Sequence, residues 1–357
     1  MTASSTPLRP TSSAPRLQPD RVVVPDVLRG VAIVAMLVAH AMPLLPAVSA
    51  SRPASFVAGN VNDLASPLFA LVMGMSASIV LARPGASPTR VLVQNLIRGA
   101  VLVALGLWLA TWGSWIAIVL AFLGIVLVVG TPILLLSSRV VAVVAVVLAV
   151  VGAPVNTAVA SAVDPVLLGQ QSPLGFAVRW VFLDPHYRVT SLLPFFLLGA
   201  LLLRHGFRRD RLLVALAAVA LPAYAVRPLV ERAFGVDSAS GSHADTLHDL
   251  GLVLAAHVAV VLLTTVRSPR ARPIIAAVFT PFRAVGSLAL SVYVLQVGVV
   301  VALLASGVVR GVQDPAGALL LVLGVWAVGV LWWRFVGSGP IEWATRLVTR
   351  FATARIR

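Results

Sequence analysis

Ten long apolar runs, separated by short polar segments, fill most of the chain. They lie at 26–45, 63–82, 91–112, 115–136, 138–153, 189–204, 211–230, 246–266, 284–306 and 315–336. A helix that spans a membrane needs about 20 predominantly apolar residues, and most of these runs are close to that length. The pattern predicts an all-α fold, a polytopic integral membrane helical bundle of about ten transmembrane helices. An even number of helices would place both termini on one side, and we expect that side to be the cytoplasm.

The polar segments predict three parts. Residues 1–24 are rich in Ser, Thr, Pro and Arg and predict a disordered cytoplasmic tail. Residues 25–337 form the predicted membrane domain, and residues 338–357 a basic cytoplasmic helix in which Glu342 and Arg346 are spaced for an i,i+4 ion pair. The longest outer connection is 154–188. Its apolar stretch 173–183 is too short to span a membrane, so we expect it to lie in the interface.

Composition and charge narrow the class of protein further. Of the 357 residues 59% are apolar and only 11% charged, whereas a soluble domain carries roughly 25% charged residues. This excludes a soluble enzyme and a nucleic-acid-binding module. With the N-terminus cytoplasmic, 21 of the 27 arginines lie at the inner side, as the positive-inside rule requires. We expect a multi-pass protein of the inner (plasma) membrane, with lipids and no nucleic acid as partners.

The first apolar run has a second interpretation, as a cleaved signal peptide. An arginine-containing tail precedes it, and Val48 and Ala50 follow with the spacing of a cleavage site. Arg29 and His40 inside the run, together with the long leading segment, favour a retained first helix.

Polar residues inside that helix are candidates for function, because each ionisable group in hydrocarbon costs about 2.5–3.5 kcal/mol. At 100° per residue, Asp26, Arg29 and His40 lie within about 60° of each other, on one stripe. His40 lies about 16 Å further out than Arg29, and imidazole exchanges protons near neutral pH. The stripe could line a path across the membrane. Alternatively, Asp26 caps the helix and pairs with Arg29, and His40 bonds to a neighbouring helix.

Five motifs resemble known membrane acyltransferases. Arg29 followed after ten residues by His40 is similar to the first-helix signature of acyltransferase family 3. The string from Asp26 to His40 resembles the opening of the heparan-α-glucosaminide N-acetyltransferases and of the YeiB-like proteins. Asp63-Leu-Ala-Ser-Pro-Leu-Phe…Met-Gly74 matches a run of the heparan enzymes, and the segments 284–296 and 339–346 are similar to the YeiB-like C-terminal half.

The resemblance implies that an acyl group passes from acyl-CoA on the cytoplasmic side to an acceptor outside, with His40 as base or acyl relay and Asp63 as its partner. The heparan enzymes, however, carry Asn at the position of His40. They place their reactive His ten residues before the Asp, where this chain has Pro53. This difference favours a general-base mechanism at His40 over a covalent acetyl-histidine.

Residue chemistry points to the same pair. The chain has no Cys and no Lys, which excludes a thiolate nucleophile and a lysine base. A short loop could bring Asp63, at the outer start of the second run, beside His40, where its carboxylate would orient the imidazole. The sequence therefore predicts His40 and Asp63 as catalytic residues.

The remaining candidates are predicted to bind substrates. His243, Asp245, His248 and Asp249 open the eighth run, and the last three share one helical face. We expect an acceptor site there; a solvated acidic helix end and a metal site are alternatives, and no metal is predicted. The other candidates are Asp26, Arg29 and Tyr293 for the substrate, and Arg98 and Arg283 for the phosphates of acyl-CoA. Tyr293 could instead be a bond between helices, and the two arginines could simply meet lipid.

The sequence thus predicts an acyl-CoA-dependent membrane acyltransferase that acts on a cell-envelope glycan or glycolipid. A homodimer is implied by family analogy alone. A transporter or flippase and a non-catalytic scaffold for envelope assembly are the alternatives, although no inverted repeat supports transport.

Overall fold

The computed structural model of the chain describes residues 23–83, 87–163 and 172–353. All regular structure in this part is helical, which confirms the predicted all-α membrane bundle. The predicted tail lies outside the described residues except for Val23 and Val24. These two residues already belong to the first helix, so the tail prediction was wrong at its C-terminal end.

Thirteen helices are named here in chain order within the described ranges. They are α1 Val23–Ala41, α2 Arg52–Leu81, α3 Pro88–Ala110, α4 Leu120–Ile133, α5 Ser138–Ala162, α6 Pro173–Val178, α7 Val189–His205, α8 Arg211–Phe234, α9 His243–Thr264, α10 Ala271–Ser287, α11 Ala289–Ala305, α12 Pro315–Phe335 and α13 Pro340–Thr353. Short helical turns at Met42–Leu44 and Pro46–Ser49 join α1 to α2, and a π-turn at Arg179–Leu183 continues α6. A second π-turn, Leu320–Gly324, interrupts α12.

Each predicted apolar run lies on a helix. Seven helices are long and apolar enough to span a membrane, or eight if α10 and α11 count as one bent span. Two of the predicted spans, α4 and α7, have only 14 and 17 residues. The count of ten spans and the side of the termini therefore stay predictions.

Helix α7 packs against α2, α4 and α5. Its Gly199 faces the backbone of Leu71 in α2, and Gly74 of α2 faces the backbone of Phe196 in α7. A Cβ atom at either glycine would overlap that backbone. Lipid tails are as apolar as the side chains, so membrane helices associate through such close packing of small residues rather than through a hydrophobic force.

The second helix begins at Arg52, well before the predicted start at 63. Ser51 is extended and Pro53 lies in the first turn, where proline's fixed φ and missing N–H are tolerated. The apolar pattern does not reveal this polar first part of the helix. As a result, Asp63 lies inside α2 and not at its outer start.

The predicted run 284–306 is not one straight helix. It is divided between α10 and α11, which meet at an angle of 78°. Backbone N–H groups released at the bend, those of Leu290 and Ser291, donate to Glu342 Oε1 of α13 over 2.7 and 3.2 Å. The predicted ion pair between Glu342 and Arg346 is wrong, because the carboxylate caps α11 while Arg346 bonds the Glu342 backbone carbonyl.

Candidate functional site

The inner end of α1 forms the predicted charged pair. Arg29 Nη1 lies 3.4 Å from Asp26 Oδ1 and 3.3 Å from the carbonyl oxygen of Gly286 in α10. Its Nη2 donates to Ser76 Oγ of α2 over 2.5 Å. These contacts tie α1 to α2 and α10, so the alternative in which Asp26 pairs with Arg29 is confirmed as a contact. Their predicted role in substrate binding stays a prediction.

The outer end of α1 carries His40. Its carbonyl oxygen accepts a hydrogen bond from Trp115 Nε1 over 3.2 Å, and its ring lies beside the Gln296 side chain of α11. His40 Nδ1 and Gln296 Oε1 are both buried and have no hydrogen-bond partner among the described residues. Gln296 Nε2 contacts Met36 Sδ at 3.2 Å. The surroundings of the His40 ring are thus an amide and apolar groups.

Asp63 has different partners from the one predicted. Its Oδ2 lies 2.8 Å from Arg227 Nη2 of α8 and 3.8 Å from His248 Nε2 of α9. Among the described residues, no hydrogen bond or ion pair joins Asp63 to His40. The prediction that Asp63 orients His40 therefore has no contact to support it.

A network of charges surrounds Arg227. Besides Asp63, its guanidinium pairs with Asp245 Oδ1 at 3.0 Å and lies 3.7 Å from Glu231 Oε1. We call Asp63, Arg227, Glu231, Asp245, His248 and Asp249 the acidic cluster. Arg227 is the positive charge between its carboxylates. In the part of the chain that the structure describes, no three His, Asp or Glu side chains are grouped to hold a metal ion.

The sequence missed Arg227 as a functional candidate. An arginine and Glu231 one turn apart in an otherwise apolar helix were the available signal. The partner of Arg227 on α2 is Asp63, which lies 164 residues away along the chain, a separation that no local pattern reveals.

His248 lies at the buried end of the acidic cluster. Its Nδ1 is 2.9 Å from the Tyr224 carbonyl oxygen, and its ring stacks on the Tyr224 ring with centroids 4.5 Å apart. Helices α8 and α9 approach closely here because Gly251 faces the Tyr224 backbone with no room for a Cβ atom. The predicted face of Asp245 and His248 is therefore turned toward α2 and α8. The Asp249 carboxylate has a buried Oδ1 without a partner among the described residues.

His243 does not join this cluster. Its Nε2 lies 2.7 Å from the Val150 carbonyl oxygen of α5, and the side chain is exposed. The prediction that His243 shares a substrate site with Asp245 and His248 has no contact to support it, since the first residue of α9 points away from their face. Ser242 caps the helix by accepting from the Asp245 backbone N–H at 3.2 Å.

Tyrosines lie between His40 and the acidic cluster. The Tyr293 hydroxyl, one turn from Gln296, accepts from the Val119 N–H over 3.3 Å and lies near Tyr187. Tyr187 in turn lies beside Ser66, which is one turn from Asp63 on α2. Burial raises the pKa of the Tyr187 hydroxyl, so this group keeps its proton. Polar side chains thus follow one another from His40 to Asp63.

Two arginines predicted to bind phosphates lie in the predicted inner half. Arg283 Nε is buried without a partner in the described part of the chain, and the charge near Arg98 is another cation, Arg83. Asn95, one turn from Arg98 on α3, is 1% exposed, and its Nδ2 also has no partner there. Cationic and amide N–H groups without acceptors suit an anionic ligand. No contact joins Arg98 to Arg283, so their common role stays a prediction.

Two family models match the chain. Residues 21–227 match the model described as heparan-alpha-glucosaminide N-acetyltransferase, catalytic, and residues 200–352 match one described as a protein of unknown function, DUF418. Among the curated proteins compared with the chain, none matches it. Asp63 lies in the first matched segment, His248 in the second, and Arg227 in both. The acidic cluster is therefore assembled from both matched parts.

Proposed function

Since the chain belongs to the heparan-alpha-glucosaminide N-acetyltransferase catalytic family, we propose that it transfers an acyl group from acyl-CoA to a cell-envelope glycan or glycolipid across the plasma membrane. Its function is that of a membrane acetyltransferase-like protein. We propose in addition which molecules are the donor and the acceptor, on which side of the membrane each one binds, and which residues take part.

One observation carries the proposal. Asp63, which opens the motif in α2, is ion-paired with Arg227 at 2.8 Å and lies next to a buried imidazole whose Nε2 has no hydrogen-bond partner among the described residues. Acyl transfer to a hydroxyl or amine needs a base for the acceptor proton and charged groups that stabilise the developing charges. The acidic cluster supplies both kinds of group in one place.

The donor would enter from the opposite side. We propose that Arg98 and Arg283 bind the phosphates of acyl-CoA near the inner ends of the helices, as the sequence predicts. What supports this is that neither side chain has a carboxylate partner among the described residues. The thioester would then reach outward toward the acceptor.

The sequence assigned proton transfer to His40 with Asp63. His40 lies beside the Gln296 amide, whose Oε1 has no hydrogen-bond partner among the described residues. We keep His40 in the proposal as a group that contacts the thioester arm or the acceptor. For Asp63, the contacts support an electrostatic role but bring it to a different histidine.

The proposal is tested with inside-out membrane vesicles that contain the protein. Acyl-CoA labelled in the acyl group is added outside, which is the cytoplasmic face, and the label is followed into glycan and lipid fractions inside the vesicles. We expect transfer with the wild type and with Asp237→Asn, an exposed acid of an outer loop, and loss of transfer with Asp63→Asn. Release of CoA without a labelled acceptor would contradict acyl transfer and indicate thioester hydrolysis, whereas movement of intact substrate without thioester cleavage would contradict it and favour a transporter.

A further inference from the structure

We infer that His248, and not His40, is the general base that takes the acceptor's proton. This inference rests on the proposed acyl transfer and names the residue that performs its proton step. The acceptor group it implies is a hydroxyl or an amine that reaches the acidic cluster from the outer side.

The contacts of the His248 imidazole ring hold it in one tautomer. A carbonyl oxygen can only accept a hydrogen bond, so the 2.9 Å contact with Tyr224 means that His248 Nδ1 carries a hydrogen. In the neutral ring Nε2 is then the unprotonated nitrogen, with its lone pair available. The ring cannot easily turn, because it is stacked on Tyr224 and its side chain is only 5% exposed. The structure thus fixes the tautomer that a base requires.

The Nε2 atom of His248 faces the Asp63 carboxylate. Asp63 Oδ2 lies 3.8 Å away, too far for a direct hydrogen bond but close enough to stabilise the imidazolium that forms when Nε2 accepts a proton. The Arg227 ion pair holds this same oxygen in place. Buried Asp249 Oδ1 is a further acceptor in the cluster that no described residue satisfies. The unsatisfied nitrogen and oxygen atoms indicate a donor that comes from outside the chain.

The acidic cluster has an exposed rim and a buried end. Exposure of the side chains decreases from Glu231 at 32%, through Arg227 at 22% and Asp63 at 18%, to His248 at 5%. In the proposed arrangement the acceptor enters at the exposed rim, and the imidazole lies at the buried end. Four acidic side chains surround one arginine and one histidine here. This excess of acceptors suits a ligand with several O–H or N–H donors.

The other histidine lacks these features. His40 is held through its backbone by Trp115, and the side chain beside its ring is the Gln296 amide, not a carboxylate. An imidazolium formed there would be buried without a counter-charge among the described residues, which is costly in a low dielectric.

The acceptor oxygen or nitrogen forms a bond to the acyl carbon while its proton passes to His248 Nε2. The C–S bond of the thioester breaks, and the CoA thiolate takes the proton back from the imidazolium and leaves as the thiol. The histidine is regenerated neutral, and no further reactant is needed.

The test compares His248→Asn with His40→Asn in the vesicle assay. The amide nitrogen of Asn replaces Nδ1, so it can still donate to the Tyr224 carbonyl, but no base remains at Nε2. We expect His248→Asn to lower kcat by 100-fold or more with a small change in the acceptor KM, as loss of general-base catalysis does (about 10²–10⁴-fold). His186→Asn, an exposed outer-loop variant, is the matched control and should keep wild-type activity.

A second readout separates a base from a merely structural residue. The wild-type rate should rise with pH, because a general base acts only in its unprotonated form. The titratable and charged groups around the His248 imidazole come from three helices. They are Asp63 of α2, Arg227, Glu231 and Tyr224 of α8, and Asp245 and Asp249 of α9. The rise should be absent from the residual activity of His248→Asn but present in His40→Asn. Added imidazole should restore part of the activity of His248→Gly. This variant tests the role of His248 even if His248→Asn folds poorly.

The outcomes distinguish the inference from the proposed function. Wild-type kcat and an unchanged pH rise in His248→Asn, or loss of the rise in His40→Asn alone, would overturn the role of His248 and leave acyl transfer intact. Failure of the folded wild-type protein to transfer the label would overturn the proposed function itself.

Discussion

The outer ends of α1 and α9 each carry a histidine, yet the two surroundings differ in the one property that proton transfer needs. His40 lies beside a neutral amide, whereas His248 lies 3.8 Å from a carboxylate that is itself paired with an arginine. A recognisable spacing in the sequence drew attention to the first site. The contacts between distant helices favour the second, which teaches that a motif locates a region more reliably than it identifies the reacting side chain.

Depth does not explain the difference. Arg29 meets Ser76, so eleven residues outward along α1 correspond to the level of Ala65 on the antiparallel α2. His40 and Asp63 therefore lie within about 3 Å of the same depth, by helical rise. They face different neighbours at that level, and direction around the helix axis decides which of them can act together.

The largest effect should come from removing the charge that organises the acidic cluster. Arg227→Gln leaves Asp63 and Asp245 without their counter-charge in a partly buried site, where unpaired carboxylates are unfavourable. We expect a lower melting temperature in detergent and at least a 100-fold lower transfer rate. Arg232→Gln, an exposed change on the same helix, should alter neither. Normal activity of a stable Arg227→Gln protein would show that the cluster is not the site of transfer.

Separating α8 from α9 should have the next largest effect. In Gly251→Leu the new side chain overlaps the Tyr224 backbone and pushes the carbonyl away from His248. We expect transfer to fall about tenfold or more, because a misplacement near 1 Å at a reacting group has large consequences. Gly59→Leu, placed where a Cβ meets open space, is the control. Equal activity of both variants would contradict the need for this close approach.

His40→Asn should lower the transfer rate by about tenfold at most, because the Asn amide can still contact Gln296 and only one buried hydrogen-bonding group changes. The initial rate of label transfer measures this directly. A loss of 100-fold or more, in a protein with wild-type stability, would identify His40 of α1 as the general base instead of His248.

The smallest effect on the rate is expected at Glu342, which no hydrogen bond among the described residues joins to either histidine. Glu342→Gln weakens the cap on α11, where hydrogen bonds to a charged group contribute about 1.5–3 kcal/mol. The melting temperature should fall while the transfer rate changes by less than about twofold. A large loss of activity at unchanged stability would assign the bend between α10 and α11 a part in catalysis.

The sequence predicted the fold well and the site in part, for identifiable reasons. Apolar runs located every predicted helix, because in a membrane the length of such a run is the structural requirement. They could not reveal the polar start of α2, or the bend at Leu288, whose cap comes from Glu342 some 50 residues later. These features depend on polar groups that a hydropathy pattern leaves out.

The same limit applies to the site. The face shared by Asp245 and His248 follows from helical periodicity, and the Asp26–Arg29 pair from its spacing. The meeting of Asp63 with Arg227 and His248 depends on how α2, α8 and α9 pack. Spacing gives the face of one helix but not the helix that it meets.

The most direct test of the comparison measures which residues adjoin Asp63. The chain has no cysteine, so introduced pairs can be cross-linked without background. With a short thiol-reactive cross-linker, Asp63→Cys combined with His248→Cys should join α2 to α9, and Asp63→Cys combined with His40→Cys should not react. Cross-linking of the pair with His40 alone would turn the Asp63 side chain toward His40 and away from α9, and would contradict the account.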